Sequence, residues 1–264
     1  MNATAIDAQA APARGRFQGV TQILVFNWRM YAATAAAVCG SLAAWPLAGV
    51  WMRGAMLTFV LPAMFWMVAS IAVSYYVYDC SALYDFRWLC NELAAVPQRW
   101  INIHAGLDET SELFEGIFAG SEGTTVDIFD DGAMTEKSIR EARKRNGARA
   151  ATCRSCLKAR YDALPFRDGQ FNAAFLIFSA HELRRHEQRV QLFAEILRAL
   201  DARGELVLME HMRGGWNFAA FGPGALHFFS RGAWLKAAHE AGLEARSEFT
   251  RTPFVRVFIL RRVR

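Results

Sequence analysis

The sequence predicts an α/β fold in which two membrane-spanning helices precede a doubly wound, mostly parallel seven-stranded sheet. Three observations lead to this prediction. One stretch of 49 residues carries a single charge. Five strand-like runs then alternate with amphipathic helix-like runs, which is typical of parallel sheets. Two last strand-like runs, separated only by Thr252 and Pro253, indicate a terminal antiparallel β-hairpin within that sheet.

The apolar stretch extends from Met30 to Tyr78, and Arg53 is its only charged residue. A membrane-spanning helix needs about 20 apolar residues. A pair of soluble core helices is the alternative, but such helices normally carry a polar face. A signal peptide has a shorter apolar region, of about 7–15 residues. We therefore predict a flexible leader over residues 1–28, a two-helix transmembrane hairpin over 29–78 and a globular domain over 79–264.

The flanking charges predict the orientation of the hairpin. Several arginines flank the hairpin, whereas the turn between the two spans contains only Arg53. The flanking arginines are Arg14, Arg16 and Arg29 before the hairpin and Arg87 and Arg99 after it. The positive-inside rule then places both termini in the cytoplasm. We expect a multi-pass protein of a bacterial inner membrane, with the lipid bilayer as a partner.

Small residues recur at every fourth position of the first span. They are Ala32, Ala36, Gly40, Ala44 and Ala48. Such a row lets another helix approach closely within a membrane. It predicts packing against the second span or, alternatively, a homodimer through the first transmembrane helix.

Composition excludes several classes of protein. Thirty Lys and Arg against 25 Asp and Glu, with 53% hydrophobic residues, exclude a disordered or acidic chain. The pair Cys153 and Cys156 is a single CxxC, so it indicates packing rather than a zinc site. A basic cluster over residues 140–149 lacks interleaved aromatics, so we expect no nucleic-acid partner.

After residue 79 the elements can be placed in order. Residues 81–93 are predicted to be a helix with an apolar face next to the membrane. Strands are predicted at 100–104, 124–129, 148–152, 171–178, 205–209, 244–251 and 254–261. Helices are predicted at 109–119, 135–146, 187–202 and 231–241.

Four segments of this domain resemble the class I S-adenosylmethionine-dependent methyltransferases, which have a Rossmann-like fold. LPFRDGQFN at 164–172 and SAHEL at 179–183 are similar to the family's fourth-strand region. GELVLME at 204–210 is similar to its fifth strand, and WLKAAHEAGL at 234–243 to the helix before its sixth. The resemblance covers residues 98–262 and implies S-adenosylmethionine as the cofactor of a membrane-anchored variant.

The glycine-rich cofactor turn of this family is degenerate in the present sequence. The family's D-x-G-x-G-x-G corresponds to residues 102–108, where only Gly106 is retained. Asn102 replaces the acid, and His104 and Asp108 occupy glycine positions. The family also has an acid after the second strand that binds the ribose hydroxyls. Asp127, Asp130 and Asp131 are candidates for it, and Asp130 is nearest by position. Asn102, His104, Gly106, Asp108 and Asp130 are thus the candidate cofactor-binding residues.

Polar residues follow three predicted parallel strands, whose carboxyl ends meet at one edge of the sheet. They are His104, Asp108 and Glu109, then His181 and Glu182, then Glu210 and His211. They could supply a general base, a metal site built on the three histidines, or helix caps, as at Asp108. We take His181, Glu210 and His211 as candidate catalytic residues, with His181 as the base, and assign no metal ligand.

The segment MRGGWNFAAFGPGALHFF at 212–229 is rich in aromatics and glycine. It is interpreted as a lid over an apolar substrate, with Trp216, Phe221 and His227 as substrate-contacting residues; a loop that fills its own small core is the alternative.

The resemblance implies S-adenosylmethionine-dependent methyl transfer to a lipophilic small molecule, such as a quinone, polyketide or lipid precursor, at the cytoplasmic membrane face. Two alternatives remain open. One is an inactive membrane scaffold with the methyltransferase fold. The other is a metal-assisted reaction on that fold.

Overall fold

The computed structural model describes residues 15–106, 108–145 and 156–264. Its described residues form two compact units. One comprises residues 15–81 and 213–227, and the other comprises 82–212 and 228–264. Residues 1–14 of the predicted leader and the predicted strand at 148–152 lie outside the described residues.

The first unit contains the two long apolar helices that the sequence predicted. Helix α1 is Gln18–Ala44 and helix α2 is Val50–Tyr75, joined by a short 3₁₀ turn at Trp45–Leu47. Both are long and apolar enough to cross a membrane, and the most apolar windows of the two spans are 0% and 6% buried. Helices of a soluble core would instead be mostly buried.

Helix α1 begins at Gln18, eleven residues before the predicted boundary at residue 29. The carboxylate of Asp79, just after α2, accepts hydrogen bonds from the backbone N–H groups of Gly19 and Val20, both at 2.7 Å. A carboxylate stabilises a helix N-terminus by satisfying free N–H groups and by its charge. A Cβ atom on Gly19 would lie 2.3 Å from Cβ of Tyr78, so this close approach requires glycine.

The row of small residues is not the surface that joins α1 to α2. Ala32, Ala36 and Gly40 are exposed, and no atom outside the neighbouring backbone lies within 4 Å of a Cβ built on Gly40. The two helices instead share a hydrogen bond of 3.1 Å between the hydroxyls of Tyr31 and Ser70. The homodimer stays a prediction.

The second unit contains the predicted α/β sheet. Its strands are β1 Arg99–His104, β2 Glu122–Asp127, β3 Leu157–Lys158, β4 Phe171–Ile177, β5 Leu200–His211, β6 Leu243–Thr252 and β7 Val255–Arg262. Among the described residues the strand order is β3-β2-β1-β4-β5-β7-β6. Strands β1 to β5 are parallel and β7 is antiparallel to both neighbours. The strand order reverses between β1 and β4, where ligands bind in open α/β sheets.

Helices connect these strands and cover the sheet. In chain order the helices after α2 are α3 Leu89–Glu92, α4 Ser111–Ile117, α5 Lys137–Arg145, α6 His186–Ala199, α7 Gly215–Phe221 and α8 Arg231–Glu240. All of these except α7 belong to the second unit. One part of the core is aromatic: the ring centroids of Phe114 and Phe175 are 4.4 Å apart, and Trp100 packs beside both.

The predicted helix at 81–93 is wrong. Residues Ala82–Tyr84 and Phe86–Trp88 form 3₁₀ turns, and only the four residues of α3 are α-helical. The side chain of Asp85 accepts a hydrogen bond from the backbone N–H of Arg87 and so caps the second turn. The apolar side chains do not form an exposed face, because Leu83 and Phe86 are 1% and 0% exposed within the globular unit.

Candidate active site

His181 and Glu210 are brought together by the ends of β4 and β5. Nδ1 of His181 lies 2.8 Å from a carboxylate oxygen of Glu210, and the backbone N–H of His181 donates to the other oxygen at 3.2 Å. On the other side of the ring, Nε2 lies 3.5 Å from the carboxylate of Glu182. Glu210 is 1% exposed, so its carboxylate is shielded from water.

The two carboxylates determine the charge of His181. Burial by itself lowers the pKa of the imidazole, but the negative charges of Glu210 and Glu182 outweigh it and raise the pKa to about 10. His181 is therefore an imidazolium at neutral pH. Together with Glu182 and Glu210 it forms the cluster that we call the histidine–carboxylate triad.

His211 is not part of this triad. Successive residues of a strand point to opposite faces, so His211 and Glu210 cannot both face His181. The ring of His211 is stacked between Phe178 and Phe228, at centroid distances of 5.1 and 4.9 Å. Its Nδ1 donates to the backbone carbonyl of Phe254 at 3.1 Å. Of the three candidate catalytic residues, two thus share a site.

His104, at the end of β1, has its own partners. Its Nδ1 accepts a hydrogen bond from the backbone N–H of Gly106 at 2.9 Å, so the neutral ring carries its proton on Nε2. Nε2 lies 3.3 Å from Sγ of Cys156. Burial lowers the pKa of His104 despite the nearby carboxylates of Asp108 and Asp127. His104, His181 and His211 therefore have separate partners, and within the described part of the chain no three His, Cys, Asp or Glu residues could hold a metal ion.

Asn102 and Asp108, two of the predicted cofactor ligands, belong to a network at the start of α4. One oxygen of Asp108 accepts from the backbone N–H groups of Thr110 and Ser111 at 3.1 and 3.0 Å. The side-chain amide of Asn102 donates to the hydroxyls of both residues and to Asp108. Asp108 thus lies two residues before the N-cap residue, Thr110, and binds the N–H groups of Thr110 and of the first helical residue, close to the capping role predicted for it. Glu109, the neighbouring acid, accepts from the hydroxyl of Tyr84 at 2.9 Å.

A cavity of about 340 Å³ lies between the ends of β2 and β3. Its walls are Asp127, Phe129, Arg143, Lys158, Ala159 and Arg160. Strand register aligns Asp127 with His104, so the cavity lies level with the turn after β1. One oxygen of Asp127 accepts from the backbone N–H of Phe129, and the other is paired with Arg143 at 2.8 Å.

Arg143 lies across this cavity towards the turn after β1. Its guanidinium stacks 4.1 Å from the ring centroid of Phe129. A Cβ atom on Gly106, which has a φ of +95°, would lie 1.4 Å from Nη1 of Arg143. The absence of a side chain on Gly106 therefore leaves the space that the guanidinium of Arg143 occupies against the backbone. From its sequence context Arg143 is only one member of a basic cluster, because the helix that carries it shows no motif.

Asp130, the predicted ribose-binding acid, is in a turn. One of its oxygens accepts from the backbone N–H groups of Gly132 and Ala133 at 2.7 and 3.3 Å. Asp127, by contrast, is the last residue of β2 and lines the cavity. The residue at which β2 ends decides whether Asp127 or Asp130 faces the cavity. Sequence alone locates such a strand end only to within a few residues.

The three predicted substrate residues lie in the other unit. Trp216 and Phe221 are in α7, and His227 ends the 3₁₀ turn after it, Gly222–His227. Trp216 is 68% exposed, while Phe221 and His227 are half-buried. This segment forms one compact unit with α1 and α2 rather than with the sheet.

Comparison with known proteins finds one matching domain family and several solved structures of similar fold. Residues 119–208 match the family described as a methyltransferase domain. No curated protein matches the chain. The mitomycin 7-O-methyltransferase MmcR is 13% identical, over 95% of this chain and 74% of that chain, with a TM-score of 0.54. At this identity the similarity shows the fold alone.

Two further solved structures are more distant in shape. The geranyl diphosphate C-methyltransferase of Streptomyces coelicolor A3(2) is 14% identical, over 73% of this chain and 83% of that chain, with a TM-score of 0.49. Its structure contains Mg²⁺, geranyl diphosphate and S-adenosyl-L-homocysteine. The PH0226 protein of Pyrococcus horikoshii OT3 is 16% identical, over 69% of this chain and 92% of that chain, with a TM-score of 0.49.

Proposed function

We propose that this chain, whose globular unit has the class I methyltransferase fold, transfers a methyl group from S-adenosylmethionine to a lipophilic acceptor at the cytoplasmic face of a membrane. The observation that carries the proposal is the histidine–carboxylate triad at the ends of β4 and β5, beside the edge of the sheet where this fold binds ligands. The matched methyltransferase family and the cavity at Asp127 support the same function.

The cavity residues suit the adenosine part of S-adenosylmethionine. The carboxylate of Asp127 can accept hydrogen bonds from two vicinal ribose hydroxyls, and the ring of Phe129 offers a stacking face for adenine. Gly106 permits close approach to the turn, and Arg143 must leave Asp127 when the site is filled. We assign these roles to Asp127 in place of Asp130. When bound, S-adenosylmethionine supplies an electrophilic methyl group on a sulfonium.

The triad supplies the proton chemistry. An imidazolium and two carboxylates have a formal charge of −1, so the triad can accept one proton without becoming cationic. His181 is already protonated, and a carboxylate is therefore the base. We assign this role to Glu182, because Glu210 is held by both the ring and the backbone N–H of His181. Methylation of an acceptor O–H, N–H or C–H releases one proton, which passes to Glu182. His181 orients the base, and general-base catalysis of this kind contributes about 10²–10⁴-fold.

The membrane anchor supports a lipophilic acceptor. Helices α1 and α2 each contain an apolar stretch long enough to cross a membrane, and these stretches are little buried. Because Asp79 binds the start of α1, the two ends of the hairpin lie together and would emerge on one side of a bilayer. With the positive-inside rule this favours two cytoplasmic ends. A bacterial inner membrane, with a quinone, polyketide or lipid precursor as acceptor, is the setting we propose.

One observation favours the alternative of an inactive scaffold: Arg143 pairs with the carboxylate that would bind the ribose. Titration calorimetry of the detergent-purified full chain with S-adenosylmethionine separates the two functions. We expect micromolar binding that Asp127→Asn weakens at least about tenfold, since a hydrogen bond to a charged group contributes about 1.5–3 kcal/mol. The matched variant Asp130→Asn should bind like wild type. A folded protein without heat of binding would support the scaffold and contradict methyl transfer.

A further inference from the structure

Between β5 and α8 the chain leaves the sheet and forms a separate segment. It departs after Met212 and returns at Phe228, and a parallel β-bridge between Met212 and Phe229 closes its base. In between lie α7 and the 3₁₀ turn Gly222–His227. We call residues 214–227 the excursion segment. It belongs to the same compact unit as the apolar hairpin, so its surroundings are set by α2.

The excursion segment lies directly against Trp66 of α2. The rings of Phe218 and Trp66 meet edge to face, with centroids 6.0 Å apart. Gly222 has a φ of +54°, and a Cβ atom on it would lie 2.6 Å from Cδ2 of Trp66. The backbone of Gly222 is thus pressed onto the indole, and only glycine permits this contact.

The position of Trp66 along α2 sets the depth of this contact. Trp66 lies nine residues before Tyr75 and sixteen after Val50. At about 1.5 Å per residue these separations are about 14 Å and about 24 Å along the helix. If Tyr75 and Tyr76 mark the membrane interface, as interfacial aromatics do, Trp66 lies near the middle of a hydrocarbon core about 30 Å thick.

The composition of the segment suits that depth. Residues 214–230 contain no Asp, Glu, Lys or Arg. Trp216, Phe218 and Leu226 are exposed by 68%, 46% and 59%, more than a water-facing loop would show for three large apolar side chains. Arg213, at the base, donates to the backbone carbonyl of Leu226 at 2.7 Å. In hydrocarbon, backbone polar groups need such internal partners.

We propose that the excursion segment is a third membrane-embedded element, which enters the bilayer beside α2 and returns to the same side, with lipid acyl chains covering Trp216 and Phe218. This inference rests on the membrane anchoring in the proposed function. It deepens that function, because the segment begins four residues after Glu210 in the chain. An acceptor dissolved among acyl chains, rather than one presented from water, is the substrate class that this arrangement serves.

Spin labels test the proposal on the full chain in vesicles of phosphatidylcholine and phosphatidylglycerol. The five native cysteines are replaced by alanine, and a nitroxide is attached at Ala219→Cys, in the exposed part of α7, or at Trp216→Cys. Phe59→Cys, on exposed α2, is the lipid control, and Glu187→Cys, on α6, is the water control. Collision of each label with oxygen and with a water-soluble nickel chelate is measured.

We expect the labels at Ala219 and Trp216 to collide with oxygen and to lose collision with the nickel chelate, as the Phe59 label does. If the Phe59 label is shielded from the nickel chelate but both excursion labels collide with it as often as the Glu187 label does, the segment lies in water. That result would overturn the inference and leave the membrane anchoring intact. If Phe59 also meets the chelate, the membrane anchoring itself fails, and the inference fails with it. Circular dichroism of each labelled protein confirms that it is folded.

Discussion

Replacing Glu210 by glutamine should markedly lower the pKa of His181. In the wild type this pKa is raised from 6.5 to about 10, a difference of about 3.5 units. At 1.36 kcal/mol per unit, that is roughly 5 kcal/mol of preference for the imidazolium. Glu210 lies 2.8 Å from Nδ1 and is the largest cause opposing burial. A carboxylate so close shifts a pKa by about 1–3 units, so we expect a fall of about two units in Glu210→Gln.

The assay is a pH titration of the full chain in micelles, followed by carbon–proton correlation spectra of labelled histidine. The chain has six histidines, and His181→Asn assigns the resonance of interest. Glu240→Gln is a matched control, because it removes the carboxylate from the exposed pair with His186 and should leave His181 unchanged. A wild-type His181 that titrates near 6.5, or one unaffected by Glu210→Gln, would refute the charge assigned to the triad.

The same shift predicts how stability depends on pH. The folded pKa of His181 exceeds its unfolded value, so the stabilisation is fully present below about pH 6.5 and is lost as the pH rises through about 10. The denaturant concentration at the unfolding midpoint of the wild type should therefore decrease as the pH rises from about 6.5 to about 10. His181→Asn should remove the part of this decrease that is due to His181.

Two other variants test the hairpin and the cavity. Asp79→Ala removes the cap of α1 and should lower stability by about 1 kcal/mol, measured by thermal unfolding, with Asp79→Asn intermediate; equal melting temperatures would contradict the capping role. Arg143→Ala frees Asp127 and should raise the affinity for S-adenosylmethionine several-fold in calorimetry, since a partly buried ion pair no longer has to break. A weaker affinity would mean that Arg143 holds the ligand instead of competing with it.

The order of elements was predictable because each carries a local signal. Alternating strands and helices, the closing hairpin and the two apolar spans follow from periodicity and charge, which need no knowledge of contacts. The replacement of the predicted helix at 81–93 by 3₁₀ turns was not predictable, because it depends on the burial of Leu83 and Phe86 and on the cap that Asp85 provides. The start of α1 was misplaced because its cap, Asp79, lies 60 residues along the chain.

The candidate site was predictable only in part. His181 and Glu210 directly follow two of the predicted strands, 171–178 and 205–209, and this placement alone indicated their meeting. Whether Asp127 or Asp130 faces the cavity depends on the residue at which β2 ends. His211 follows Glu210 directly, so strand alternation already separates the two side chains once the strand is known to extend to residue 211. The place of the aromatic segment beside Trp66 depends on packing that no motif encodes.

Transfer of a labelled methyl group from S-adenosylmethionine into lipids tests the central claim most directly. The full chain in vesicles is incubated with a membrane lipid extract, and label is counted in the organic phase. We predict label with the wild type and a loss of at least about 10²-fold in Glu182→Gln, whose affinity for S-adenosylmethionine should be unchanged. Binding without any label in the organic phase, or undiminished label with Glu182→Gln, would contradict the account.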